Sequence, residues 1–373
     1  MSFTPFDLEY TQSLWEQRVD INLTESGVHP IRLDELLGDD QGKLNELLAT
    51  EINYPHVNGN PELRENIARL YDGAGVDNVL VTVGAAEANN IVMQTLMRPG
   101  EELLTQTPTY KQVWGLADNS GHTVKSFRMQ SENAWALDID ELNAGVSDKT
   151  RIIAIVNPNN PTGHILTADE MDAVVNAADR VGTWILADEV YRGAERLQEE
   201  ETQSFFGRYD KVLAIGSMSK AYGLPGLRIG WVVGPPDTIG DIWRRHEYTT
   251  ITASMMSNFL AAHALSSDVR PRLLERTRDY IRNGFPVLEA WMNSQDGLFS
   301  YTPPEASAVT FIRYHLDINS TELMELLCRE ASVLVGAGDS FGMDHHLRVA
   351  FGQDKEVLED AFRRIEKTLK SIA

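Results

Sequence analysis

One cysteine, Cys328, stands in a chain of 373 residues, which excludes an intrachain disulfide framework. Its setting, LMELLCRE, has helical spacing, so it reads as core packing rather than a nucleophile. Nowhere do 18 apolar residues run together, so no segment reads as a membrane-spanning helix. The opening MSFTPFDLEY lacks a basic stretch followed by an apolar core, and no secretion signal is expected. Basic charge is scarce: 33 Lys and Arg face 55 Asp and Glu, for a formal net charge of −22. A chain so acidic, with no dense basic patch, is not built to grip a phosphate backbone. These absences point to a cytoplasmic protein with neither nucleic acid nor membrane as partner. No metal is expected either. The run Glu199-Glu200-Glu201 lacks the spaced ligands of a calcium loop, and His345-His346 have no partners at metal-ligand spacing; both read as loop residues.

What is present is ordinary globular material, 42% hydrophobic and 24% charged, in a length that suits two packed units. Short apolar runs of strand type occur at 79–83, 102–105, 123–127, 151–156, 183–187, 212–215 and 229–233. Amphipathic stretches of helix length lie between them at 61–71, 85–97, 110–119 and 169–181. The alternation predicts an α/β fold with a mostly parallel seven-stranded sheet covered by helices on both faces. After about residue 260 the texture changes to longer helices at 257–265 and 271–292, strands at 309–313, 332–335 and 347–351, and a closing helix at 355–372. The expected organisation is a large domain over 46–260, and a smaller α+β domain made from 1–45 and 261–373.

Ligands of open parallel sheets gather at the carboxyl ends of the strands, so the residues just past each run carry the chemistry. After 79–83 come Gly84, Ala85 and Ala86 at a helix start, where free N–H groups and the helix dipole suit a phosphate. After 151–156 comes Asn157-Pro158-Asn159-Asn160-Pro161-Thr162-Gly163, a rigid turn that presents an amide. Asp188, Glu189 and Tyr191 follow 183–187, and an apolar strand ending in a carboxylate calls for a positive partner. Ser217, Ser219 and Lys220 follow 212–215. A phosphate cradle, an amide, a carboxylate with a phenol, and an amine are the groups that pyridoxal 5'-phosphate requires: lysine for its aldehyde, carboxylate for its ring nitrogen, donors for its ring hydroxyl and a seat for its phosphate. Nearby positive charge should lower the proton affinity of Lys220.

The motifs Tyr54-(x4)-Gly59-(x3)-Leu63-Arg64, Gly84-Ala85-Ala86, Pro108-Thr109-Tyr110, Asn160-Pro161-Thr162-Gly163, Asp188-Glu189-Val190-Tyr191, Ser217-Met218-Ser219-Lys220 and Arg228-Ile229-Gly230 occur in order. In this the chain resembles the class I/II aminotransferases of the fold type I pyridoxal-phosphate-dependent family, across about residues 20 to 355. The resemblance implies transfer of an amino group from an amino acid to a 2-oxo acid, with catalytic Lys220, Asp188 and Tyr191. Lys220 would carry the Schiff base and then move the Cα proton. Asp188 would pair with the ring nitrogen, Asn160 and Tyr191 would bond the ring hydroxyl, and Tyr110 would stack on the ring. Gly84, Ala85, Ala86, Ser217, Ser219 and Arg228 would hold the phosphate. Arg348 would bind the substrate carboxylate, with Gly27 and Asn160 beside it. Tyr54 would reach the phosphate of a neighbouring subunit, which implies a homodimer.

Ser26-Gly27-Val28-His29, the run 219–228 and Tyr248-Thr249-Thr250-Ile251-Thr252 are similar to a narrower group, the capreomycidine synthases, which act on a hydroxylated arginine by elimination and ring closure. That similarity keeps open a lyase or cyclase acting on a basic amino acid, with Glu25 as a partner for the substrate's positive side chain. Other chemistries fit less well. Ser217-Met218-Ser219-Lys220 satisfies S-x-x-K, but the S-D-N and K-T-G strings of a serine acylase do not occur. Gly336 to Gly342 has one residue too many for a dinucleotide fingerprint and reads as a loop. A cofactor-binding regulator without catalysis would have no use for Arg348.

Overall fold

The structure, a computed structural model, describes residues 3–372. A two-residue strand, β1 (Ile21–Asn22), precedes the strands of the main sheet: β2 (Val79–Thr82), β3 (Glu102–Thr107), β4 (Thr123–Gln130), β5 (Ala136–Leu137), β6 (Thr150–Val156), β7 (Trp184–Asp188), β8 (Val212–Ser217) and β9 (Gly230–Val233). They lie in the order β2-β9-β8-β7-β6-β3-β4-β5. From β8 through β7, β6 and β3 to β4 the pairing is parallel. β9 runs antiparallel to both of its neighbours. The seven expected strands are all present, and β5 extends the sheet by pairing antiparallel with β4.

Alternation of side chains along β6 explains why the sheet is covered twice. Ile153 and Ile155 pack with Met171, Val174 and Ala178 of the helix Ala168–Val181. Ile152 and Ala154 turn the other way, into a layer with Ile91, Val92 and Leu96 of the helix Gly84–Leu96. Ile152 and Ile153 are fully buried, and each contributes about 1.5–3 kcal/mol by leaving water. The helix Ala168–Val181 starts where Thr167 and Glu170 form a reciprocal capping box, and it stops at Gly182, whose φ of 65° few other residues adopt readily.

The C-terminal third contributes β10 (Phe299–Tyr301), β11 (Val309–Tyr314), β12 (Val333–Leu334), β13 (Gly336–Ala337) and β14 (His346–Ala350). β10, β11, β14 and β13 form an antiparallel sheet in that order, and β12 pairs in parallel with β1. The N-terminal segment is therefore stitched to the C-terminal third, with Ile21 opposite Val333. One loop expectation changes. His346 begins β14, buried, with its ring stacked on Phe311 at 4.9 Å, because its side chain falls on the packed face of that strand. The acidic run at 199–201 stays in a loop as expected, and its ends are paired: the helix Arg270–Asn293 presents Arg270 to Glu201 at 2.6 Å and Arg282 to Glu199 at 2.9 Å.

Candidate active site

Parallel strands in register deliver their last residues to one rim. Val156 stands opposite Asp188 and Asp188 opposite Ile215, while the N–H of Asn157 donates to the Asp188 carbonyl at 3.0 Å. Beyond that rim lies a cavity of about 320 Å³ whose lining includes Lys220, Asp188, Tyr191, Asn160 and Tyr110, together with Ala85, Ala86, Ser217, Ser219, Arg228 and Arg348. Residues that are remote in the chain are thus brought together.

One end of the cavity is an anion seat. The N–H groups of Ala85 and Ala86 fall in the first turn of the helix Gly84–Leu96, where no intrahelical acceptor serves them. Gly84 has φ 75°, and a Cβ there would meet the Arg228 guanidinium at 2.5 Å. Glycine is required twice over, for its backbone and for the approach of the arginine. Arg228 stands in the left-handed region at φ 51°, and its Nη1 donates to the Pro225 carbonyl at 3.1 Å and to Ser219 Oγ at 3.5 Å. Ser217 Oγ donates to Ser219 Oγ at 3.0 Å. Backbone donors, two hydroxyls and a guanidinium converge there, the donor set that a phosphate takes.

The middle of the cavity holds the acid and the amine. Asp188 is buried, and Asn89 Nδ2 donates to its Oδ2 at 3.1 Å. Burial raises this carboxyl to about 6, against the Asn89 and Val190 hydrogen bonds and the Lys220 charge, which lower it. Burial also lowers the proton affinity of Lys220; Glu25 and Glu9 oppose the shift, and Arg348 and Arg228 reinforce it. Tyr191 Oη donates to Ser26 Oγ at 2.9 Å, and burial pushes the phenol up to about 12. A buried acid awaiting a positive partner, an amine biased toward its neutral form and an adjacent anion seat fit pyridoxal phosphate group by group.

At the other end Arg348 is 2% exposed. It donates to Asn160 Oδ1 at 3.0 Å and to the Thr24 carbonyl at 2.6 Å, and its buried Nε has no partner among the described residues. A buried guanidinium with spare donors on a cavity wall suits a carboxylate. Gly27 borders the same space: a Cβ on it would stand 3.3 Å from the Ser219 carbonyl oxygen and 3.8 Å from Lys220 Cδ.

The N-terminal helix Asp7–Trp15 roofs the mouth. Tyr110 Oη donates to Glu9 Oε1 at 2.6 Å, Lys111 pairs with Asp7 at 2.9 Å, and Gln12 bonds Glu25. Sequence reasoning passed over Glu9, Gln12 and Asn89 and gave Ser26 no role at the site, for contacts this far apart in the chain leave no spacing to read. Tyr54 does not line the cavity and is 76% exposed.

The family model described as aminotransferase class I and II matches residues 44–365. Among relatives, capreomycidine synthase of Streptomyces vinaceus is 30% identical over 361 residues, covering 93% of this chain and 89% of that protein. An aspartate aminotransferase of Pyrococcus horikoshii is 27% identical over 325 residues, covering 84% and 82%. The crystal structure of a PLP-dependent aminotransferase from Streptococcus suis superposes with a TM-score of 0.94 at 28% identity, covering 100% of this chain and 99% of that one.

Proposed function

The chain belongs to the class I and II aminotransferases, and from that membership we propose how its own residues divide the work on an amino acid and a 2-oxo acid. The enzyme is pyridoxal-phosphate-dependent. When bound, the cofactor supplies an electron sink for the substrate Cα and carries the amino group between the two substrates. Ala85, Ala86, Ser217, Ser219 and Arg228 would hold its phosphate. Asp188 would keep its ring nitrogen protonated, Asn160 and Tyr191 would bond the ring hydroxyl, and Tyr110 would cover the ring. Lys220 would anchor the cofactor and then, as a neutral amine, move the proton from the substrate Cα to the cofactor's aldehyde carbon. Arg348 fixes the substrate α-carboxylate, which sets the direction from which Lys220 approaches. The roof formed by Asp7–Trp15 excludes water. One observation carries this assignment: a single cavity gathers Lys220, Asp188, Arg228 and Arg348, each with a different chemical task.

Tyr54, with Ile52 at 91% and Tyr248 at 93% exposure, supports a homodimer in which Tyr54 reaches the neighbouring phosphate. The net charge of −22 and the absence of a membrane-length apolar helix among the described residues are in keeping with a cytoplasmic site of action. The test is a visible-absorption spectrum of the holoenzyme during additions of a panel of amino acids. A donor should convert the bound cofactor to its pyridoxamine form; no spectral change with any donor would leave a binding protein without catalysis.

A second reading is favoured by Glu9 and Glu25, whose carboxylates line the cavity mouth: elimination or cyclisation of an amino acid with a positive side chain. Glu25→Gln should selectively weaken turnover of arginine-like donors over aliphatic ones. Equal losses for both would remove the idea.

A further inference from the structure

We propose that Asn89, steadied by Gln112, is the positioning residue for the Asp188 carboxylate. Asn89 lies in the helix Gly84–Leu96 and is fully buried. Its neighbours Ala88, Ile91 and Val92 pack into the apolar layer beneath the sheet, where an amide is out of place. Both hydrogens of its Nδ2 are used, one toward Asp188 Oδ2 and one toward Gln112 Oε1, each at 3.1 Å. Among the described residues the other Asp188 oxygen accepts only the Val190 N–H, at 3.3 Å. Asn89 is therefore the one side-chain hydrogen-bond donor to Asp188 among the described residues.

The Asn89 amide is costly to the fold. Its Oδ1 is buried with no partner among the described residues, and an unmet buried acceptor destabilises. Leucine has nearly the same size and would avoid that cost in an apolar layer. A side chain that leaves its own acceptor unmet yet spends both hydrogens on an active-site carboxylate and its brace is placed to act on that carboxylate. Asn89 holds Oδ2 in one orientation and stabilises the ionised form, the form that can keep a ring nitrogen protonated. Gln112 sits on the cavity wall and keeps the amide from rotating its acceptor toward Asp188.

The inference rests on the role given to Asp188, so the experiment separates the two. Asn89→Leu, Asp188→Ala and the double variant are compared for cofactor dissociation constant by equilibrium dialysis, absorption spectrum of the bound cofactor, kcat/KM and apo-protein thermal midpoint. Asn89→Leu should weaken cofactor affinity and kcat/KM on the order of ten-fold or more, with an altered spectrum, while the midpoint reports whether the variant stays folded. In the Asp188→Ala background the same change should move affinity and kcat/KM by no more than about two-fold, since coupled residues are not additive. A cost of equal factor in both backgrounds would overturn the proposal, as would an unchanged affinity and spectrum in Asn89→Leu. If Asp188→Ala alone leaves affinity and spectrum intact, the role of Asp188 fails and the inference falls with it. Gln112→Met serves if Asn89→Leu does not fold: losses of the same sign and smaller size are expected, and wild-type affinity and spectrum would overturn the proposal.

Discussion

Gly230 offers a direct test of the anion seat, because β9 begins against the first turn of the helix Gly84–Leu96. A Cβ at position 230 would stand 2.4 Å from the Gly84 carbonyl carbon, 2.5 Å from the Ala85 nitrogen and 2.9 Å from the Gly84 oxygen. Non-bonded carbons rest about 3.5–4.0 Å apart, so Gly230→Ala must push the strand and the helix backbones away from each other by roughly 1 Å. Overpacking of this kind costs about 1–3 kcal/mol of stability. The cofactor should suffer separately, since the displaced atoms include the Ala85 N–H proposed to hold its phosphate. One charge-assisted hydrogen bond is worth about 1.5–3 kcal/mol, which corresponds to a rise in cofactor dissociation constant of roughly 10- to 150-fold. Equilibrium dialysis of the apo-protein measures that constant, and a thermal melt of the same sample measures the stability loss. Gly226→Ala is the matched control: it lies in the loop that leads into β9, but a Cβ there meets nothing within 4 Å, and both quantities should stay at wild-type values. Wild-type cofactor affinity in Gly230→Ala would refute the assignment of the seat.

Arg348→Met should raise KM for the amino donor by about 100-fold, from loss of a buried charge-assisted grip, and steady-state kinetics with one donor checks it. Arg278→Met should destabilise by about 3–5 kcal/mol in urea titration, because it strands the buried Glu195 carboxylate, now paired at 2.7 Å. Stability should also fall at alkaline pH. Burial works against a charged His164, but its bonds to Glu170 at 3.3 Å and Glu305 at 2.9 Å prevail and hold its pKa up to about 9, above the ordinary 6.5. The folded state thus binds this proton more tightly than the unfolded chain does. Its contribution, about 3 kcal/mol at 1.36 kcal/mol per unit, is complete below pH 6.5 and is lost as pH rises through 9. His164→Gln should flatten that decline in melts between pH 6 and 10.

The anion seat, acid and amine were legible because each follows a buried strand, so topology alone sends it to the rim. Arg348 and Tyr54 needed the resemblance, for an arginine in a strand and a tyrosine in a loop have no rim to mark them. The roof was not legible: Tyr110 meets Glu9 across 101 residues and Tyr191 meets Ser26 across 165, and loop conformation decides both. Asn89 sits in a stretch whose apolar spacing reads as core, yet an amide inside the apolar stripe of a helix that opens a phosphate seat is a usable sign. β5 and β10 span two and three residues, too short for any alternation to declare them.

The reversed direction of β9 has an architectural consequence. Had the chain continued in parallel after β8, the return would have needed a crossover of about a dozen residues or more, and the start of the next strand would lie at the far edge. Instead β9 comes back alongside β8, with Ser217 opposite Gly230, and residues 218–229 form one loop closed at its base that carries both Lys220 and Arg228. The residues proposed as covalent tether and phosphate clamp therefore share a single stretch of backbone closed by the β8–β9 pairing, so displacement of that stretch reaches both. Loss of coenzyme should be an all-or-none event rather than a stepwise unlatching.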